Sequence, residues 1–116
     1  MSYSSKFYRK EKLISRTLEI DEELYNQLEF LSKKIDDASI SKLVNAAIED
    51  LIESENIQVY ERKNNSYVSR SFLIRDSFLE GLYELKKKYR IPIYLLVNIA
   101  IRNELEEEDK ENLITL

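Results

Sequence analysis

Polar and apolar residues first alternate and then recur at helical spacing along the N-terminal half of the chain. In Thr17-Leu18-Glu19-Ile20 the two apolar residues fall on one face and the two polar residues on the other, as in a half-buried strand. Apolar residues at 24, 28, 31 and 35 then follow the period of an amphipathic helix. A second helical stripe occupies positions 40, 43, 44, 47, 48 and 51, and Ser39 is a suitable N-cap for it. The pattern predicts a strand followed by two helices.

The same order of periods recurs in the second half of the chain. Residues Ser15–Ile20 align with Ser69–Ile74 at an offset of 54, and the first helical stripe then falls on Phe78, Leu82, Leu85 and Tyr89. At an offset of 53, Val44-Asn45 falls on Val97-Asn98. Ser77 with Glu80 resembles a capping box, and Ile91-Pro92 marks the break between two helices. The chain therefore contains two copies of one unit.

This repeat divides the chain into five segments. A basic N-terminal arm (1–12) precedes the first unit (13–54), a linker (55–66) and the second unit (67–106), and a C-terminal tail (107–116) follows. The linker can span roughly 40 Å, enough to bring the second strand beside the first. An alternative interpretation makes Ile57–Tyr60 a strand in a hairpin with Val68–Ile74.

The composition supports a helical fold and argues against an enzyme. A single glycine and a single proline favour helices over turn-rich sheets. The chain has no cysteine and no histidine, so disulfides, thiolate metal sites and the commonest general base are missing. We expect no metal, no cofactor and no catalytic residues. No apolar run approaches the ~18 residues that a membrane span needs, so we expect a cytoplasmic protein.

Charge is distributed unevenly along the chain. The formal net charge is −4, which by itself argues against a nucleic-acid partner. Residues 1–18, however, hold five basic residues against one acidic residue, and residues 59–75 hold four against one. Because a protein binds DNA through a local patch, these two basic segments leave DNA binding open.

One unit of roughly 40 residues has an unpaired strand and too small a core to fold alone. Two units can pair their strands antiparallel and pack four helices together. The segment from Asp37 to Ile48 resembles the inter-helix turn and second helix of the ribbon-helix-helix (MetJ/Arc) repressors, and Arg90 to Ile101 is a weaker copy. The resemblance covers about residues 13–54 and 67–106. It implies a mostly α-helical fold with a short two-stranded antiparallel ribbon, in which two ribbon-helix-helix motifs form a pseudo-dimer. Pairing within one chain and exchange between two chains both remain open.

The resemblance also implies which residues would contact double-stranded DNA. In this family the paired strands lie in the major groove, and their outward side chains touch base edges. The corresponding base-reading set here is Ser15, Thr17, Glu19, Ser69, Ser71 and Leu73. The alternative is that these are ordinary solvent-facing positions of a ribbon.

Further contacts would go to the DNA backbone. Arg16 and Arg70 have the inward parity, where the family usually has an apolar residue, so each would either reach a phosphate or base edge or pair with a carboxylate of the facing helix. The start of each second helix would hold a phosphate through backbone N–H groups. These phosphate-contacting positions are Ser39, Ile40, Ser41, Ile93 and Tyr94, joined by Lys6, Arg9 and Lys10 of the arm. Pro92 lacks an N–H and Glu19 aligns with Leu73, so we expect an asymmetric DNA site.

The sequence favours a DNA-binding transcriptional regulator that acts as a repressor. The alternative is a protein-interaction module, such as an antitoxin or an adaptor of the same fold, with a protein partner at the C-terminal tail. Self-association of pseudo-dimers on DNA is also left open.

Overall fold

The computed structural model of the chain describes residues 11–35, 39–61 and 66–115, with side chains through residue 109 in the last helix. Six elements follow one another, as β1 (Leu13–Asp21), α1 (Glu22–Lys34), α2 (Ile40–Ser54), β2 (Tyr67–Arg75), α3 (Asp76–Tyr89) and α4 (Ile93–Thr115). The fold is mostly helical with one two-stranded antiparallel sheet, as the repeated pattern predicts.

The two strands of this one chain pair with each other along their whole length. Thr17 lies opposite Ser71 at the middle of the ribbon, and Leu13 and Asp21 lie opposite the two ends of β2. One further backbone bond extends each end of the ribbon, from Asp76 N to Lys12 O (2.9 Å) and from Glu22 N to Ser66 O (3.1 Å). This ribbon is the sheet against which the helices pack.

The hairpin between Ile57–Tyr60 and Val68–Ile74 is contradicted by this topology. Residues 55–61 are irregular, and β2 pairs with β1. Ile57 and Tyr60 instead pack at the edge of the hydrophobic core. Their apolar character therefore reflects burial of a connecting segment rather than a third strand.

Alternation along the strands separates a buried face from an exposed one. Ile20, Phe72 and Ile74 point towards the helices and are at most 3% exposed. Each such side chain contributes roughly 1.5–3 kcal/mol through removal of apolar surface from water. The opposite face of the ribbon carries mostly polar residues and remains in contact with solvent.

The helical stripes form the core, with two exceptions at helix ends. The interior is built from residues of all four helices, including Leu24, Leu28, Leu31, Val44, Ile48, Leu51, Leu79, Leu82, Leu85, Leu96, Val97 and Ile101. Ile35 and Tyr89, which the stripes place in the core, are 41% and 37% exposed. They lie at or just beyond the last turn of α1 and α3, where the helix leaves the interior. The Tyr89 hydroxyl donates to Glu55 instead (2.7 Å).

The predicted signals at the start of the second helices are confirmed. The Ser39 hydroxyl accepts from Lys42 N (3.1 Å) and caps α2. The break at Ile91-Pro92 separates α3 from α4, and Arg90 ends α3 in the left-handed region at φ 57°. α4 then runs to Thr115, beyond the boundary at residue 106 that the repeat indicates.

The predicted capping box at Ser77 and Glu80 is wrong. Ser77 lies inside the first turn of α3, and its N–H donates to the Glu11 carboxylate (2.7 Å), which therefore caps the helix from outside it. Burial opposes the charge on Glu11, but the hydrogen bonds from Ser77 and the nearby Arg75 together lower its pKa below the ordinary value. The spacing Ser-x-x-Glu could not reveal a cap contributed by a residue 66 positions earlier.

The single glycine permits a close helix–helix approach. A Cβ on Gly81 of α3 would lie 2.5 Å from Ile52 Cδ1 of α2. A side chain at this position would push the two helices apart or displace Ile52.

Within the described residues, no helix combines the length and apolar character required to cross a bilayer.

Candidate nucleic-acid interface

The outer face of the ribbon includes the six positions that sequence reasoning proposes for base contact, and the exposed pair Leu13 and Arg75 extends it at one end. Ser15, Thr17, Glu19, Ser69, Ser71 and Leu73 are all exposed on the side away from the helices. Leu73 and Leu13, which are 47% and 52% exposed, contribute apolar surface to a face that is otherwise mostly polar. The side-chain oxygens of Thr17 and Ser71 lie 2.7 Å apart at the middle of the ribbon. The structure thus brings the six residues together on one solvent-facing surface.

Two asparagines fix the helices to the free edges of this ribbon. Asn45 of α2 donates to Leu73 O (2.7 Å) and accepts from Arg75 N (3.0 Å). Asn98 of α4 donates to Glu19 O (3.0 Å) and accepts from Asp21 N (2.8 Å). Each asparagine therefore satisfies backbone groups on a strand edge that would otherwise lack a partner.

Each asparagine is held by its own helix as well. The Asn45 amide donates to Ser41 O (2.8 Å), and the Asn98 amide donates to Tyr94 O (2.7 Å). The repeat contains Val-Asn at both places, but its spacing alone does not show which backbone atoms the amides bind. This structural role is the main feature that sequence reasoning missed.

The first turns of α2 and α4 therefore lie beside opposite ends of the ribbon. Ser41 reinforces the attachment of α2, because its hydroxyl accepts from Leu73 N (3.3 Å). The proposed phosphate positions Ser39, Ile40 and Ser41 thus flank the β2 residues 73–75. Ile93 and Tyr94 flank the β1 residues 19–21 in the same way, through Asn98.

Arg16 and Arg70 lie on the helix side of the ribbon, and both are exposed. Arg16 donates to the Tyr83 hydroxyl (3.1 Å), and the Arg70 guanidinium lies 4.9 Å from the ring centroid of Tyr25. Arg70 also donates to Ser69 O (2.9 Å). Both guanidinium groups thus contact tyrosines of the facing helices. One of the two expectations from the sequence was that each would pair with a carboxylate there. Lys6, Arg9 and Lys10 lie outside the described residues.

The two ends of the ribbon differ in charge. The α2 end carries Lys12, Lys42 and Arg75, all exposed. At the α4 end, the repeat places Ser66, Leu95 and Asp21 at the corresponding positions. Sequence reasoning did not assign Lys42 or Arg75 to the site. Both are positions at which the two copies of the repeat differ in charge, and that difference is visible in the sequence.

A groove of about 450 Å³ opens at the α2 end between the ribbon and the start of α2. Leu13, Leu73, Ala46 and Phe78 form its apolar part, with Lys42 and Arg75 on its walls, among other residues. At the α4 end two of the corresponding positions carry larger side chains, Tyr67 for Leu13 and Ile99 for Ala46, and one carries a smaller side chain, Leu24 for Phe78. The two ends thus differ in shape as well as in charge.

Acidic side chains outside this interface do not form a metal site in the described part of the chain, where no group of three or more ligand residues is suitably arranged.

Comparison of the chain with protein-family models, curated proteins and solved structures finds no match.

Proposed function

We propose that the protein is a sequence-specific DNA-binding transcriptional regulator, acting as a repressor in the cytoplasm. In this proposal its two repeats form a pseudo-dimer of ribbon-helix-helix motifs, and the outer face of the ribbon enters the major groove. The observation that carries the proposal is the crossed pair of asparagine contacts, combined with the exposed outer face.

The asparagine contacts are related by the repeat. Offsets of 53 and 54 carry Asn45 onto Asn98 and carry Glu19 and Asp21 onto Leu73 and Arg75. The second helix of each repeat therefore holds the strand of the other repeat. Thr17 and Ser71, which face each other at the middle of the ribbon, are themselves repeat partners. These relations are what a two-fold arrangement of two equivalent motifs requires.

The outer face has suitable chemistry for base recognition. A two-stranded ribbon fits the major groove, where each base pair presents a distinct set of donors and acceptors. The Ser and Thr hydroxyls can donate or accept, Glu19 can accept from a cytosine amino group, and Leu73 can contact a thymine methyl. One hydrogen bond joins Thr17 to Ser71, so each hydroxyl retains capacity for a base.

The flanking helices are suited to hold the DNA backbone. N–H groups in the first turns of α2 and α4 point away from their helices and favour an anion. Because both first turns are tied to the ribbon through asparagines, their separation from the base-reading residues is set by the fold rather than by a mobile loop. Phosphate contacts there would fix the register of the ribbon.

The test is selection of binding sites from a random duplex pool, followed by fluorescence anisotropy on the selected duplex across a salt series. We expect binding that weakens steeply with salt and a Thr17→Ala/Ser71→Ala variant that loses sequence preference while retaining non-specific affinity. Lys87→Ala is the matched control, since Lys87 is exposed on α3 away from the outer face. A pool with no enriched sequence at low salt would contradict the proposal.

A second candidate function is a protein-interaction module, and an exposed aromatic side chain favours it. Phe30 is 71% exposed in a groove between α1 and α4 that Leu105 and Asp109 also line. Phe30→Ser should abolish a protein complex and leave DNA binding unchanged, whereas Thr17→Ala/Ser71→Ala should do the reverse.

A further inference from the structure

We propose that the protein binds a non-palindromic duplex in one fixed orientation, in which the described cationic side chains that hold phosphates lie at the α2 end of the ribbon. This inference rests on the proposed function and specifies which half of the DNA site provides most of the backbone contact.

Three pairs of corresponding residues distinguish the two ends. Lys12 corresponds to Ser66, Lys42 to Leu95 and Arg75 to Asp21, so each replacement removes a positive charge from the α4 end. One pair runs the other way, because Glu49, which lines the groove at the α2 end, corresponds to Arg102. The three cations are exposed, whereas Asp21 is only 7% exposed and its N–H is bound to Asn98. Phosphates are attracted to accessible cations and repelled by carboxylates, so the two ends should differ in backbone affinity.

The cations of the α2 end are brought together by backbone contacts. Asp76 N donates to Lys12 O, so the backbone of Lys12 lies across the ribbon from Asp76, the residue after Arg75. Ser41, the neighbour of Lys42, accepts from Leu73 N two residues before Arg75. Lys42 and Arg75 also line the same groove. A single stretch of DNA backbone passing this end would meet Lys42 and Arg75, which share the groove. Lys12 precedes the outward-facing Leu13 and so has the parity of the helix side of the ribbon.

One of the three cations is partly neutralised. The Arg75 guanidinium lies 3.9 Å from the Glu11 carboxylate, which also caps α3. Lys42 has no such carboxylate among the described ion pairs and is therefore the stronger determinant.

The outer face adds to the same asymmetry. Glu19, near the α4 end, places an exposed carboxylate where its repeat partner Leu73, near the α2 end, places an apolar side chain. Glu19 favours a cytosine amino group and disfavours a nearby phosphate, whereas Leu73 favours a thymine methyl. The half-sites under the two ends would therefore differ in sequence as well as in phosphate contact.

The experiment uses the duplex selected above, synthesised with neutral methylphosphonates on either half. Neutral linkages under the α2 end should weaken binding about tenfold. Those under the other half should weaken it clearly less, because there the described residues offer a phosphate only the N–H groups at the start of α4. Lys42→Leu, which installs the residue of the other repeat, should reduce the salt slope by about 1 and should reduce the effect of neutral linkages on the half under the α2 end. Lys87→Ala serves as the control and should change neither.

A gain-of-function variant tests the same point without disturbing the core. Ser66 is exposed, and Ser66→Lys installs at the α4 end the cation found at the α2 end. This variant should make binding sensitive to neutral linkages on the second half.

The outcomes separate the two proposals. If neutral linkages on both halves weaken binding equally, the fixed orientation is wrong and DNA binding stands. The orientation is also wrong if Arg62→Ala/Lys63→Ala, in the segment preceding β2, lowers the salt slope as much as Lys42→Leu does. If no duplex is selected at all, the proposed function itself fails.

Discussion

The helices α2 and α4 occupy corresponding places in the repeat, yet they contribute differently to the molecule. In α4, residues 96–101 are buried without interruption, whereas α2 buries one stripe and exposes the opposite face. A helix that is apolar all round belongs in an interior, and an amphipathic helix belongs at its boundary. The second helix of the second copy therefore forms part of the interior, whereas the second helix of the first copy lies at its boundary.

Asn45 and Asn98, which attach α2 and α4 to the ribbon, differ in burial in the same way as their helices. Asn98 is completely buried, and Asn45 is partly exposed, although they bind equivalent backbone atoms. Water can replace the hydrogen bonds of Asn45 but not those of Asn98. The stability of the fold should therefore depend on the asparagine of α4 more than on that of α2.

The largest expected effect comes from removing these amides one at a time. Asn98→Ala leaves the buried N–H of Asp21 without an acceptor and should lower the free energy of unfolding by about 3 kcal/mol, against about 1 kcal/mol for Asn45→Ala. Urea denaturation followed by circular dichroism measures both. Equal losses would show that the two ends are energetically equivalent despite their different burial.

A smaller effect should follow from making α4 resemble α2 at residue 104. Glu104 corresponds to Leu51, a core residue that is 1% exposed. Burial, with a hydrogen bond to Asp50 and repulsion from nearby carboxylates, raises the pKa of Glu104 to about 7. Glu104→Leu should stabilise the protein at pH 8 by about 1 kcal/mol, a figure reduced for the solvent that reaches this partly exposed group.

The contribution of Glu104 to the stability of the fold depends on pH. Because the pKa of Glu104 is higher in the folded state than the ordinary 4.5, its contribution to stability is fully present below pH ~4.5. That contribution is lost as the pH rises through about 7. Thermal unfolding of wild type should show this decline and Glu104→Leu should not, with Glu80→Gln on α3 as the control. An unchanged slope in Glu104→Leu would assign the decline to other groups.

The smallest effect concerns the starts of α1 and α3. α3 is capped by the Glu11 carboxylate, whereas α1 has Glu22 and Glu23 in its own first turn. Glu11→Gln removes one charge near the N-terminus of α3 and should cost about 0.5 kcal/mol at pH 7. Because the pKa of Glu11 is lowered in the folded protein, this difference should disappear as the pH falls through that pKa. Thermal unfolding at pH 7 and pH 3 measures it, and a cost that persists at pH 3 would point to lost packing.

Much of the fold follows from features that are local in sequence. Period-2 alternation gives β1 and β2, helical stripes give the four helices, and Ser39 and Pro92 mark where the second helices begin. The repeat also predicts that β1 and β2 pair, because neither copy has another strand. These signals are reliable because each depends on neighbouring residues or on the comparison of two copies.

The features that could not be predicted depend on contacts between distant residues. Glu11 reaches a helix more than sixty residues later, and Arg16 meets Tyr83 across the ribbon. The exposure of Ile35 and Tyr89 depends on where each helix leaves the core, which the stripe does not encode. For the candidate site, alternation predicts which residues face outward, but only three-dimensional proximity shows that Lys42 and Arg75 share a groove.

The ribbon also has a consequence for how the chain folds during synthesis. β1 is made early but its partner lies beyond two helices and a connecting segment, so the ribbon cannot close until Arg75 has left the ribosome. Until then β1 offers an unpaired edge that a second nascent chain can fill through its own β2. Fast release at low concentration should therefore give closed monomers, and crowded refolding should give strand-exchanged dimers with the same pairing of residues.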